Sequence, residues 1–508
     1  MSNSDFQQLD KDFLGHPKPL QGLFFVEMWE RFSYYGIRPL LLLFMTTAIA
    51  PGGFGFNDET AAAIYGLFSG MLYLVPLAGG WLADNWLGQE RSLWWGCIIM
   101  ALGHLAIGMS AFPMLGMTMF FIGLVLLVLG TGLFKTCIAV MVGSLYAQDD
   151  ERRDSGFTVF YMAINIGAMI APLVTGFFAE KGQWHTGFTI GGVGMLVALL
   201  IYRFVAKKQL AQYANSKGMT VSWEKPVRKV NHVGKAVFTL FLILCTLVVF
   251  IITDVISINV VMLRDMLTYL IIGALFLFFG WAFLSSRFDK ADKIRLLVCF
   301  FLIIGASLFW SSFEQQPASF NLFAERYTDR HLGDFSIPTV WFQSLNPIFI
   351  ILFAPVVSMV WIKLGKHHKN PNSMTKFALG MLIAAVAFAI MIGASQLIVS
   401  GSAGVSMAWL ISSMFFLTLA ELFISPVGMS SMTQLAPKGM QGVMMGLWYT
   451  SVSLGGLIGS ISAGYVSAET IVDLPKLFLT LAIFLVVSGV LLLVLSKPIT
   501  KMLSGVEK

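Results

Sequence analysis

Four charged side chains and two tyrosines occur between residues 27 and 38 of this 508-residue chain. The segment around them, from about residue 20 to residue 48, is long and apolar enough to cross a bilayer. Since a charge near mid-membrane costs about 2.5–3.5 kcal/mol on insertion scales, these side chains require partners or a water-lined cavity. The pattern indicates a polar pathway through a membrane. The six residues are Glu27, Glu30, Arg31, Tyr34, Tyr35 and Arg38.

A helix places these six side chains on one face. At 100° per residue they fit within an arc of about 140°, and that face must point into the protein. Glu27 and Arg31 are four residues apart, so they can pair along the helix. Two carboxylates beside one guanidinium leave a carboxyl group whose protonation is finely balanced. The alternative is a salt bridge that only joins helices, but ionisable groups in a bilayer are rarely kept for stability alone.

Three further ionisable residues interrupt apolar spans. Lys135 follows three small residues, which predict close helix packing. Glu314 and Glu421 precede Pro317 and Pro426, and each proline is expected to break its helix just past the acid and free backbone carbonyls. Lys135 lies in the first half of the chain and both acids in the second. Opposite charges are therefore predicted to face each other where the halves meet, as in transporter sites.

Neutral polar side chains also occur in the apolar spans. For any one of them, an interhelical hydrogen bond is about as plausible as a contact with a substrate. These residues are Tyr73, Tyr161, Asn165, Gln343, Asn346 and Trp448.

The composition indicates an integral membrane protein, because 57% of residues are hydrophobic and only 12% are charged, against about 25% charged in soluble domains. The net charge of +6 arises from residues in short loops, and this distribution argues against nucleic-acid binding.

The four cysteines lie in apolar spans and are predicted to be buried small hydrophobes. We find no nucleophile–base pair, phosphate loop or metal-ligand spacing, so neither an enzyme nor a cofactor is predicted.

Apolar runs predict 14 transmembrane helices in groups of six, two and six. The predicted domains are a bundle at 1–206, a linker with two extra helices at 207–294 and a second bundle at 295–508. With a cytoplasmic N-terminus, the cytoplasmic segments hold about five times as many Lys and Arg as the external ones, which also places the C-terminus inside. The spans are 20–48, 60–83, 91–111, 115–146, 156–179, 187–206, 233–253, 262–284, 296–324, 340–363, 374–396, 405–434, 440–466 and 474–496.

Two six-helix halves joined by a long connection resemble the major facilitator superfamily. Residues 79–91 also resemble the loop motif of that superfamily between its second and third helices. Asp84 is predicted to end one helix beside the positive N-terminus of the next, and Arg91 to hold the loop. The motif residues are Gly80, Asp84, Gly88 and Arg91.

Within that superfamily, the chain resembles the proton-dependent oligopeptide transporters almost from end to end. Residues 27–36 match the ExxERFxYYG signature of the first helix, and residues 160–167 resemble the FYxxINxG signature of the fifth. Residues 309–315, 343–347 and 421–426 resemble the seventh, eighth and tenth helices. The two extra helices are typical of the prokaryotic 14-helix members.

The resemblance implies roles for individual residues. Arg38 and Lys135 would hold the carboxylate of a peptide and Glu421 its amino group, while Lys135 would pair with Glu314 to close one side of the cavity. Proton coupling is assigned to Glu27, Glu30, Arg31, Lys135 and Glu314. Peptide binding is assigned to Tyr34, Tyr35, Arg38, Tyr73, Lys135, Asn165, Trp310, Asn346, Glu421, Ser425 and Trp448.

Three positions depart from the family pattern. Thr136-Cys137 follow Lys135 where the family usually has Pro-Asn. Gly66 stands where some members carry a histidine, and Gly456 where an asparagine is common. Proton coupling must then depend on carboxylates, because none of these departures removes a charged residue from the set.

We predict a symporter that imports di- and tripeptides with protons by alternating access. It is expected to be a functional monomer in a bacterial inner membrane, to contact peptide, protons and lipid but no nucleic acid, and to need no cofactor. A transporter of another small substrate, such as nitrate, a modified amino acid or a drug, remains an alternative, although Glu421 argues against a purely anionic one. A membrane receptor is a further alternative, but the chain has no soluble domain to carry a signal.

Overall fold

The computed structural model describes residues 9–504 apart from short gaps, and it consists almost entirely of helices. The gaps are 50–51, 113–115, 148–149, 151, 368, 370, 438–439, 464–465 and 467–470, and only scattered positions are described between 217 and 258.

Packing divides the chain into two units. The first unit contains Met1–Leu40 and Leu74–Asn259, and the second contains Leu41–Tyr73 and Val260–Lys508. The domain boundaries predicted from the sequence near residues 206 and 294 are not tested by this division and stay a prediction.

The N-terminal half of the chain supplies helices α1 to α7. Short π-helical turns at Ala83–Leu87 and Tyr202–Ala206 follow α2 and α6. Helices α1 and α2 contribute residues to both units. The bounds are α1 Pro19–Thr46, α2 Asp58–Leu82, α3 Gln89–Met109, α4 Gly116–Gly143, α5 Arg152–Ala179, α6 Trp184–Ile201 and α7 Lys207–Ser216.

The C-terminal half supplies helices α8 to α15. They are α8 Val260–Leu284, α9 Lys290–Phe313, α10 Ser319–Tyr327, α11 Leu345–Lys366, α12 Ser373–Val399, α13 Met407–Gln434, α14 Gln441–Ala463 and α15 Leu474–Ser504. Short 3-10 helices at Thr339–Ser344 and Ile471–Asp473 precede α11 and α15. Two-residue strands β1 (Thr328–Asp329) and β4 (Val405–Ser406) pair in parallel, and β2 (His331–Leu332) and β3 (Phe335–Ser336) pair antiparallel.

Small residues let the helices of the first unit approach closely. A Cβ atom added at Gly79 would meet the backbone carbonyl of Gly132, and one at Gly130 would meet that of Gly96 at 2.8 Å. Helix α3 therefore packs along α4, and it also contacts α6. The close packing predicted from the small residues before Lys135 is confirmed. In the second unit, α12 packs against α13 and α15, and α9 against α14.

Twelve helices among the described residues are long and apolar enough to cross a membrane. They correspond to twelve of the predicted spans. Helix α1 matches a thirteenth predicted span, at 20–48, and it contains the four charged residues between positions 27 and 38. The span predicted at 233–253 lies outside the described residues.

Two predictions about prolines had different outcomes. The helix predicted at 296–324 does break near Pro317, since α9 ends at Phe313 and α10 begins at Ser319. The predicted break at Pro426 is wrong, because α13 continues through it. A proline removes one backbone hydrogen bond, and a membrane helix can tolerate this loss when neighbouring groups compensate.

Candidate functional site

The charged face of α1 forms a buried ion-paired cluster in the first unit. The Arg31 Nε atom lies 3.2 Å from a carboxylate oxygen of Glu27 and 2.5 Å from one of Glu30. These three residues are at most 6% exposed. The other Glu27 oxygen and the Arg31 Nη2 atom have no hydrogen-bond partner in the part of the chain that is described. One guanidinium thus serves two acids and cannot neutralise both.

Arg38, which is buried, and Lys135, which is half-buried, add two more cations near this cluster. Lys135 on α4 interacts electrostatically with both acids and with both arginines of α1. Arg38 is 7% exposed. The structure therefore brings together five ionisable residues that the sequence predicted, four from α1 and one from α4.

The tyrosines of α1 link the two arginines. The guanidinium carbons of Arg31 and Arg38 lie 5.4 and 5.7 Å from the centre of the Tyr34 ring, within the range of a cation–π interaction. The Tyr35 ring meets the Tyr34 ring edge-on at 4.9 Å. The residues assigned to protons and those assigned to peptide are thus contiguous on one helix.

Helix α1 is held in place by close contact with α5. The Thr175 hydroxyl donates to the Gly36 carbonyl at 2.8 Å, and a Cβ at Gly167 would meet the Met28 carbonyl. Asn165, on the same helix, is 5% exposed, and its amide donates to the carbonyl of Tyr161 one turn earlier. The family signature in this helix thus includes the glycine that lets α5 approach α1.

A buried serine–histidine pair that was not predicted from the sequence also involves α1. The Ser33 hydroxyl contacts His104 Nε2 on α3. His104 is 3% exposed, and its Nδ1 atom has no hydrogen-bond partner among the described residues. A histidine in the middle of an apolar span was the available signal.

In the second unit, Glu314 is a buried acceptor at the end of α9. Its carboxylate accepts hydrogen bonds from the Tyr65 and Ser69 hydroxyls, both at 3.1 Å. Glu314 is 2% exposed. These two donors lie four residues apart on one face of α2, but nothing in the sequence pairs them with Glu314. The predicted Lys135–Glu314 pair stays a prediction.

Glu421 is positioned by a neighbouring helix of the second unit. The Asn346 amide of α11 donates to a Glu421 oxygen at 3.0 Å and contacts the Thr418 hydroxyl at 3.1 Å. Four residues later on α13, the Ser425 hydroxyl oxygen is buried without a hydrogen-bond partner among the described residues. The predicted carboxylate thus lies beside the predicted asparagine, with a hydroxyl one turn away.

The two tryptophans predicted from the sequence pack closely against glycines of neighbouring helices in the second unit. The Trp448 ring occupies the space that a Cβ at Gly428 would need, and the Trp310 Cβ lies where a Cβ at Gly455 would be. Trp448 is 2% exposed, whereas Trp310 and Tyr73 are half-buried. Gln343 donates to the Gln316 carbonyl at 2.7 Å, which makes it a structural hydrogen-bond donor.

The loop motif forms a tight turn between α2 and α3. Gly88 has a φ of +83°, which favours glycine. The Gln89 side chain donates to Asp84 at 2.7 Å. Arg91 is exposed and forms no ion pair with any described residue, and its predicted role in holding the loop stays a prediction. Gly80 packs against Thr136, the residue where the family pattern departs.

Comparisons with known proteins give a consistent result. The family model described as the POT family matches residues 91–479. The peptide transporter YePEPT of Yersinia enterocolitica is 50% identical over 98% of this chain and 97% of its own length. A di-/tripeptide transporter of Lactococcus lactis is 32% identical over 99% of this chain and 100% of its own length.

Two solved structures have the same fold as this chain. A peptide transporter POT in complex with sulfate has a TM-score of 0.87 at 32% identity and covers 98% of this chain and 99% of that one. A POT family transporter in complex with 5-aminolevulinic acid has a TM-score of 0.86 at 29% identity, with coverage of 97% and 99%. The predicted all-α major facilitator fold is confirmed.

Proposed function

Since the chain belongs to the POT family, we propose that it is a multi-pass membrane transporter that imports di- and tripeptides together with protons by alternating access. The main structural support for this proposal is the buried cluster on α1, where Arg31 contacts both Glu27 and Glu30. Peptide transporters among its relatives support the substrate class.

A zwitterionic peptide requires a cationic and an anionic partner. We assign its carboxylate to Arg38 and Lys135, which lie near the acids of α1. We assign its amino group to Glu421, which Asn346 orients with a hydrogen bond. The remaining proposed contacts with the peptide are Tyr34, Tyr35, Tyr73, Asn165, Trp310, Ser425 and Trp448.

The charge balance around Arg31 links protons to peptide. When Glu27 or Glu30 takes up a proton, the cluster loses one negative charge and the two cations near it become better ligands for a carboxylate. Binding of the peptide carboxylate in turn favours protonation by the same free energy, because coupling between two sites is reciprocal. This coupling drives transport only if its strength differs between the outward-open and inward-open states.

The proposal includes a bacterial inner membrane location, cytoplasmic termini, a functional monomer, transport without enzymatic catalysis, and protons in place of a cofactor. The excess of Lys and Arg in alternate loops supports the orientation.

Uptake into liposomes tests the proposed function. Purified protein is reconstituted and given an inward proton gradient with labelled di-, tri- or tetra-alanine outside. We expect the di- and tripeptide to accumulate and an excess of free alanine not to compete. Accumulation that does not depend on the gradient would overturn proton coupling, and failure of every peptide to accumulate would overturn the substrate class.

Amino-acid-like zwitterions are a second candidate substrate class. A solved structure at 29% identity holds 5-aminolevulinic acid, which carries an amino group and a carboxylate in one small molecule. Competition of this compound with labelled dialanine, in the same liposomes, distinguishes a broad from a strictly peptide-selective site.

A further inference from the structure

A pocket of about 390 Å³ lies in the second unit where α8 ends and α9 begins. Two lysines from the first turn of α9 and four apolar side chains line it. The lining residues are Phe283, Phe288, Lys290, Lys293, Ile294 and Leu297. This pocket contains none of the residues assigned to protons or peptide.

The two lysines have no counter-ion in the described part of the chain. Both nearby acids are engaged elsewhere. Asp289 caps α9 by accepting from the Asp292 amide at 2.8 Å, and the Asp292 carboxylate lies 3.6 Å from Arg295. Cations in the first turn of a helix are disfavoured by the helix dipole. The pocket therefore favours binding of an anion.

The surroundings of the pocket indicate contact with lipid. Leu277 and Leu284 of α8 are 76% and 89% exposed, which for a membrane-crossing helix means contact with acyl chains. Trp281 is half-exposed and meets the Phe288 ring edge-on at 5.7 Å. Tryptophan is enriched at the level of lipid headgroups. The lysines that follow this aromatic pair are thus at the depth of lipid phosphates.

We propose that this pocket binds an anionic phospholipid, with the headgroup phosphate between Lys290 and Lys293. The first carbons of the acyl chains would lie on Phe283, Ile294 and Leu297. A lipid fits better than free phosphate because four of the six lining side chains are apolar. Basic pockets between membrane helices are known to hold lipid headgroups. The lipid would join the extra helix α8 to α9.

Lipid-dependent thermal unfolding of the purified full-length protein tests this proposal. Phosphatidylglycerol, phosphatidylcholine or inorganic phosphate is added to the protein in detergent. We expect only phosphatidylglycerol to raise the Tm. The double variant Lys290→Gln/Lys293→Gln should bind it about thirtyfold more weakly, because each lysine contributes about 1 kcal/mol.

Two control variants separate specific binding from loss of charge or of folding. Lys363→Gln/Lys366→Gln removes two exposed lysines from the end of α11 and should keep the full response. Lys290→Arg/Lys293→Arg should also keep it. Equal stabilisation by inorganic phosphate, or an unchanged response in Lys290→Gln/Lys293→Gln, would overturn the proposal. Because the readout is binding, its failure is distinguishable from failure of peptide uptake.

Discussion

At the residue scale, the proposed proton coupling depends on two carboxylates that share one guanidinium. Arg31 contacts Glu27 and Glu30, and burial makes an unneutralised carboxylate costly. This geometry is the basis of the role in proton coupling that we propose for the cluster.

Replacing either acid by glutamine tests this role. Glu27→Gln and Glu30→Gln keep the size of the side chain but cannot exchange a proton. We expect each variant to lose accumulation driven by a pH gradient, while counterflow exchange of peptide survives because it needs no net proton movement. Both are measured with labelled dialanine in liposomes.

The exposed acid Glu59, at the start of α2, provides the matched control. Glu59→Gln should transport as the unmodified protein does. Undiminished gradient-driven uptake in both cluster variants would remove Glu27 and Glu30 from the coupling mechanism.

The sequence predicted Glu314 but not its hydrogen-bond donors. Tyr65 and Ser69 are 249 and 245 positions away from it along the chain. A charge in an apolar span is visible in the sequence because burial makes it costly. The identity of its donors depends on which helices pack together, and that is a property of the fold.

At the element scale, glycines set how closely helices approach. A Cβ at Gly66 of α2 would overlap the Ser460 side chain of α14, and Ser460 is 1% exposed. Some family members carry a histidine at the position of Gly66. In this chain no side chain fits there, so the glycine has a steric reason. The sequence shows the glycine, but only the packing shows what it touches.

We predict that Gly66→Ala destabilises the protein by about 1–3 kcal/mol, the usual cost of overpacking. The measurement is thermal unfolding in detergent. Adding Ser460→Gly to this variant should restore most of the loss, because it removes the atoms that overlap.

Gly365→Ala is the control, since a Cβ at Gly365 of α11 meets no atom within 4 Å. It should leave the Tm unchanged or raise it slightly. Equal Tm values for Gly66→Ala and Gly365→Ala would show that α2 and α14 are not in close contact.

At the scale of the whole molecule, stability depends on pH through the N-terminal segment, residues 9–18. His16 is 6% exposed, with the Tyr146 and Ser155 hydroxyls at 3.0 and 3.2 Å from its two ring nitrogens. Burial lowers the pKa of His16 below 6.5; Arg152 lowers this pKa further, while Asp150 raises it. The Arg152 guanidinium also holds Asp10 at 2.8 Å.

This pKa shift predicts loss of stability in acid. Below about pH 6.5 the unfolded chain protonates His16 while the folded chain resists, so the free energy of unfolding falls as the pH falls. We expect the Tm to drop more between about pH 7.5 and about pH 5.5 in the unmodified protein than in His16→Gln. Thermal unfolding across this range measures it.

His367→Gln removes an exposed histidine and should keep the acid response of the unmodified protein. The same decrease of Tm in His16→Gln as in the unmodified protein would contradict the role of His16.

The sequence by itself determined the class of protein, the membrane spans that fall on described residues, and the ionisable residues inside those spans. Apolar runs of bilayer length and charges inside them are local patterns with large free energies, so they are visible without a structure. The first-helix signature led to the family that the comparisons established.

Only the tertiary structure decided which groups meet. It placed Lys135 near the acids of α1, gave Glu314 its donors on α2, joined Asn346 to Glu421 and kept α13 intact through Pro426. It also showed that the Gln89 side chain donates a hydrogen bond to Asp84. Hydrogen bonds and steric contacts act over a few ångströms between residues far apart in sequence, so their partners are fixed only when the helices pack.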